Sequence, residues 1–134
     1  MESAVLEVRT GTRPITDLTA DAERFVSGLG DGILHAFAPH ATVGLALVET
    51  GAGSDDDLVD LLEQHLLPRD DRYRHAHGSP GHGADHLLPA LLAPSLSIPV
   101  LDGRLALGTW QSLVLVDTNR DNPTREVRFS FLAG

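Results

Sequence analysis

Apolar and polar positions alternate over residues 3–10, SAVLEVRT, which predicts a strand. The period then changes. Ile15, Leu18, Ala22, Phe25, Val26 and Leu29 recur at helical spacing, so a helix is expected over about 17–28. Thr16 or Asp17 can open it, and Gly28 and Gly30 suit its end. Two apolar runs follow, GILHAFAP and TVGLALVET, parted by Pro39 and His40, and both read as strands. In the second, Val43, Leu45, Leu47 and Glu49 share one face, and Thr42, Gly44, Ala46 and Val48 the other. GSDDDLVDLLEQHLLP predicts a second helix. Ser54 is its expected N-cap, and three aspartates suit the positive end of the helix dipole. Leu58, Leu61, Leu62 and Leu66 form the expected buried stripe, and Pro68 stops it.

The segment up to Gly83 is polar and rich in Gly and Pro, after which ADHLLPALLAP suggests a short, Pro-interrupted helix. The last third is β. SLSIPVL and RLALGT flank Asp102-Gly103, a hairpin signal, and WQSLVLVD and REVRFSF complete the pattern across the loop TNRDNPT. No repeat or linker interrupts it. The expectation is one α+β domain over 1–134, an antiparallel β-sandwich with two main helices.

Composition narrows the chemistry. There is no cysteine, which removes thiolate nucleophiles and Cys-based zinc sites. All ten basic residues are arginine, so no side chain can form a Schiff base. The net charge of -9 argues against a nucleic-acid partner, but a small anion needs only a few local donors. With no apolar run long enough to cross a bilayer and no signal-like start, a cytoplasmic protein without a membrane partner is expected.

The histidines are distributed unevenly. Of seven, His75, His77, His82 and His86 fall in YRHAHGSPGHGADH. His75 and His77 share a face on a strand, and His82 and His86 would share one on a helix, although Gly81 and Gly83 argue against a helix there. Spacing leaves two readings, a metal site or a solvated polar loop. His40, after Pro39 at the entrance to a strand, is either a turn residue or a group aimed into a site. Asp57 lies three residues after Ser54 and could complete a capping box or face a cleft. In GRLALGTWQ, residues 103–111, Gly108 suggests a bulge, and Trp110 reads as core or as site. His35 and His65 read as structural.

Together these pieces resemble the YjbQ family, also labelled secondary thiamine-phosphate synthases. The resemblance spans nearly the whole chain. It rests on His40-Ala-Thr-Val running to Glu49, Asp57 in a helix ending at Pro68, Tyr73-Arg-His75, His86, and the unbroken stretch Gly103 to Gln111. It implies an antiparallel sandwich assembling as a homotrimer. It implies a cleft in which His40, His75 and His86 hold a divalent metal, zinc first, with magnesium an alternative for a diphosphate substrate. Asp57, Glu49, Arg104 and Gln111 become the candidate catalytic residues. Arg104 would stabilise departing charge, and Asp57 would orient a histidine or act as a base. His77 and His82 are not family positions and read as loop residues. Four departures bear on phosphate handling: Leu88 stands where the family often has lysine, Ala84 where it often has histidine, Asp117 where it usually has Glu, and Asp121-Asn122-Pro123-Thr124 loosens an Asp-Gly-Pro-Arg stretch. The implied function is a metal-dependent small-molecule enzyme, a thiamine-phosphate synthase-like transferase or a hydrolase, acting on a phosphorylated substrate. The alternative is a non-catalytic trimer that binds a metal or an anionic metabolite.

Overall fold

The alternating segments become two antiparallel sheets in the computed structural model, which describes residues 1–134. The larger contains β1 (Glu2–Arg9), β3 (Gly32–Phe37), β5 (Ser95–Leu101), β6 (Arg104–Leu105) and β8 (Thr124–Ala133), in the order β1-β8-β3-β5-β6. The smaller contains β2 (Ile15–Asp17), β4 (Val43–Val48) and β7 (Ser112–Asp117), in the order β2-β7-β4. At three residues, β2 is too short to show a period and was not expected; it pairs Ile15 with Val116.

The sheets enclose one core. Leu34, Ile98, Val127 and Phe129 of the larger sheet meet Val43, Leu45, Leu113 and Leu115 of the smaller. Helix α1 (Thr19–Val26) adds Ala22 and Val26 to the same core. On the other face of the smaller sheet, Val114 and Val116 pack with Leu62 and Leu88 from the helical layer. Strand β7 therefore buries both faces, which explains why SLVLVD carries no polar alternation before Asp117.

The second helix departs from its expected form. α2 (Ser54–Asp60) continues as a π-helical segment, Leu61–Leu66. Gly53, at φ 100°, is the N-cap in place of Ser54, and no side chain caps the end. Leu62 is buried and Leu58 partly so, but Leu61 and Leu66 are exposed. The π turn is the cause: Leu67 N–H reaches the Leu62 carbonyl, five residues back, so the α-helical rows slip out of line.

Beyond Pro68, α3 (His82–Asp85) and α4 (Leu88–Leu91) are single turns. A helix through His82 was not expected. It forms because Gly81 takes φ 81° just before it, while Gly83 lets the loop come close. A Cβ on Gly83 would stand 2.5 Å from Tyr73 Cβ and 2.6 Å from the His75 carbonyl. The strand expected over RLALGT shrinks to β6, and Trp110 beyond it is 73% exposed, not a core residue.

Candidate functional site

The site lies at the end of the sandwich where β3 ends, β4 begins, β7 ends and β8 begins. Pro68 closes the π-helical segment, and the Tyr73 hydroxyl donates to its carbonyl at 2.6 Å, tying down the loop that carries His75. Gly83 seats α3 against that loop. His82 and His86, at either end of this turn, bring Nε2 to within 3.0 Å of Nε2. The His75 ring lies 4.0 Å from that of His86 and 5.4 Å from that of His82, centroid to centroid. One ligand nitrogen from each of the three falls within 4.8 Å of the others.

Burial lowers the pKa of His75 and His86 below the ordinary histidine value, and the neighbouring rings lower it further. Neutral rings are what a metal requires. Two buried nitrogens have no hydrogen-bond partner, His75 Nε2 and His82 Nδ1. A cation held by the trio would satisfy the first. The second is 3.5 Å from both Asp85 Oδ2 and Asp121 Oδ2, where a ring N–H could point at a carboxylate, as ligating histidines commonly do. Asp85 is fully buried and accepts from Arg69 and from Thr118 Oγ1, the latter at 2.7 Å. Asp121 accepts from the Ser79 N–H and hydroxyl, and that N–H chiefly holds its carboxyl below the usual range. The donor set fits a divalent cation.

Two of the three expected metal histidines, His75 and His86, are thus together, and His82 completes the group. His82 is not a family position and reads from the sequence as a loop residue, with its glycine neighbours arguing against a helix there. The spacing His82-x-x-Asp85-His86 carried the missed signal. His77 is exposed, with its ring 4.0 Å from that of His75. His40 stands elsewhere in the cleft. Its Nε2 accepts from the Glu126 N–H at 2.9 Å, and burial, then Arg125, lowers its pKa. It lines a cavity of about 340 Å³ shared with His77, His82 and His86.

Three of the four candidate catalytic residues, Glu49, Gln111 and Arg104, lie at the other end of the sandwich. Val43 pairs with Asp117 at the histidine end of the smaller sheet and Val48 with Ser112 at the other, roughly 17 Å away for five strand steps. Glu49 follows Val48, and Gln111 precedes Ser112, its Oε1 accepting from the Gly108 N–H at 2.8 Å. Asp57 is exposed on α2, and Arg104 is exposed on β6 opposite Leu101. None of the four lines the cavity that His40 shares with the histidines, or a second of about 310 Å³ beside Tyr73, His75, His77 and His82. Leu88, where the family often has lysine, is fully buried against the smaller sheet.

Fold and site define a class: a small two-sheet α+β protein with a histidine-lined cleft at one end. Residues 4–134 match the family model described as UPF0047 protein YjbQ-like, and the chain belongs to that family. The UPF0047 protein Rv2556c of Mycobacterium tuberculosis is 61% identical over 134 residues, covering 100% of both chains. The UPF0047 protein YjbQ of Salmonella typhimurium is 32% identical over 108 residues, covering 78% of this chain and 76% of that protein. The crystal structure of hypothetical protein APE1520 from Aeropyrum pernix K1 superposes with a TM-score of 0.88 at 29% identity, covering 100% of both chains.

Proposed function

We propose that the protein is a metal-dependent small-molecule enzyme whose divalent ion is held by His75, His82 and His86. The observation that carries this reading is the pair of Nε2 atoms of His82 and His86 at 3.0 Å, beside the buried, partnerless Nε2 of His75. Three imidazole nitrogens favour zinc over magnesium, which prefers oxygen ligands. A bound ion would supply Lewis-acid polarisation of a substrate oxygen. The chain's own residues do the rest. Asp85 and Asp121 fix the orientation of His82, and His40 lines the cleft as a hydrogen-bonding group. Thiamine-phosphate synthase-like transfer and hydrolysis of a phosphorylated substrate are the reactions this donor set suits, in a cytoplasmic homotrimer.

A second reading has its own observation. Asp57, Glu49, Arg104 and Gln111 share no cavity with the histidines within one protomer. That separation favours a trimer that binds a metal or metabolite without turnover, unless a neighbouring subunit supplies these groups.

The test is the metal content of untagged protein after zinc is offered, beside His40→Ala, His75→Ala, His82→Ala and His86→Ala. One zinc per chain, lost in the last three variants and kept in His40→Ala, is the expected result. Zinc-free parent protein overturns the metal reading. Loss in His40→Ala with retention in His82→Ala restores the ligand set implied by family resemblance.

A further inference from the structure

The cavity that His40 lines has an unusual wall for so acidic a protein. The chain carries 19 Asp and Glu, yet no carboxylate residue lines this cavity. Its lining includes His40, Thr42, Asn119, Asn122 and Arg125 together with His82 and His86. Arg125 is 5% exposed. Its Nε and Nη2 reach Asp117 at 2.7 and 3.3 Å, and Nη2 also donates to Thr42 Oγ1 at 3.0 Å. These bonds engage Nε and Nη2 and leave Nη1 outside the pairing with Asp117, and Arg125 itself lines the cavity. Asn119 and Thr42 brace the same wall, with Asn119 Nδ2 3.4 Å from Thr42 Oγ1. On His40, Nε2 is taken up by the Glu126 N–H, so the neutral ring carries its proton on Nδ1 and is a donor there.

We propose that this wall is an oxyanion subsite: it holds the phosphate or carboxylate group of a small acid through Arg125 Nη1, His40 Nδ1–H and the Asn122 amide. The anionic group would then sit in the same cavity as His82 and His86. This placement rests on the metal reading above, but the subsite itself does not. Asp117 offsets the charge of Arg125, so the subsite works through directed hydrogen bonds and less through net charge, and its affinity for a free ion is modest.

The experiment titrates inorganic phosphate, and acetate in competition, into zinc-loaded and metal-free protein by calorimetry. Arg125 is left intact, because removing it would strand the buried Asp117. Asn122→Asp instead puts a carboxylate at the exposed rim of the wall, and His40→Ala removes a donor. Gln64→Glu makes the same change of charge on the exposed side of the π-helical segment. Saturable phosphate binding is expected, weakened about tenfold or more by Asn122→Asp and by His40→Ala and unchanged by Gln64→Glu. Unaltered melting and zinc content in the variants would confirm that only the subsite moved. Equal competition by acetate makes carboxylic acids the class, and phosphate alone makes it phosphate esters. If zinc fails to load while phosphate binding and its loss in Asn122→Asp persist, the subsite stands and the metal reading falls. Phosphate that binds neither form, or binds Asn122→Asp as well as the parent, overturns the proposal.

Discussion

Asp85 has no contact with solvent, and three neighbours depend on it. Arg69 and Thr118 donate to it, and His82 Nδ1 lies 3.5 Å away. Asp85→Ala strands a largely buried guanidinium, so a loss of about 3–5 kcal/mol in urea denaturation is expected. It also frees the His82 ring, and zinc affinity should fall about 10–100-fold in the fraction still folded. A variant that keeps parental zinc affinity would show that His82 is oriented by something else. The histidines also set a pH dependence for metal-free protein. His40, His75 and His86 have pKa values below the ordinary 6.5, whereas the unfolded chain keeps that value. Between those values the unfolded state binds more protons, so stability rises with pH. Stability is therefore held above about pH 6.5 and lost as pH falls through the depressed folded values. Denaturant midpoints measured from pH 7.5 to 5 should show this fall. His86→Ala should flatten it, and an unchanged slope would remove His86 from the account.

At the scale of elements, the contact between the 73–75 loop and α3 assembles the trio. Gly83→Ala tests that contact, because its Cβ would meet Tyr73 Cβ at 2.5 Å and the His75 carbonyl at 2.6 Å. Overpacking of this kind costs about 1–3 kcal/mol, and here the strain separates His75 from His82 and His86. Zinc stoichiometry should drop in Gly83→Ala. In Gly44→Ala, which collides with the Leu92 carbonyl at 2.4 Å on the helical layer, stability should fall while zinc is kept. Equal zinc loss in both would mean that general loosening, not this contact, empties the site. The same element shows what the sequence could convey. β1 was legible from its alternation, β3 and β4 as apolar runs, and β5 from the Asp102-Gly103 hairpin signal beside it. The one-turn helix through His82 was not, because Gly81 and Gly83 read locally as breakers. Their value is tertiary: one supplies a positive φ and the other clears space for a loop ten residues earlier in the chain. The slip of Leu61 and Leu66 out of the core has a related cause, since a π turn leaves no mark in an α-helical stripe. His75 and His86 could be picked out by their resemblance to family positions. His82, a chain-specific ligand candidate, had no such signal.

For the whole molecule, the open question is how one protomer meets others. The outer face of the larger sheet carries an apolar patch where β3 begins: Ile33, opposite both Pro99 and Leu132, is 46% exposed, and Leu132 is 51% exposed. The proposed trimer has a reason to form, because adjacent exposed apolar side chains on a sheet favour association. Ile33→Asp puts a charge into that patch without touching the core, and sedimentation should shift from trimer toward monomer. A parent that sediments as a monomer would end the trimer proposal. Metal and assembly should then separate. All three ligand candidates come from one chain, so zinc stabilises the protomer and not the contact between protomers. At a hundredfold excess over its Kd, zinc should add about 2.7 kcal/mol, or roughly 10 °C in melting temperature. Chelation should reverse that gain and leave the sedimentation coefficient unchanged. Dissociation on chelation would instead place a ligand from a neighbouring subunit in the site, and the carboxylates that line no cavity at the histidines, Glu49 and Asp57, would be the first to examine.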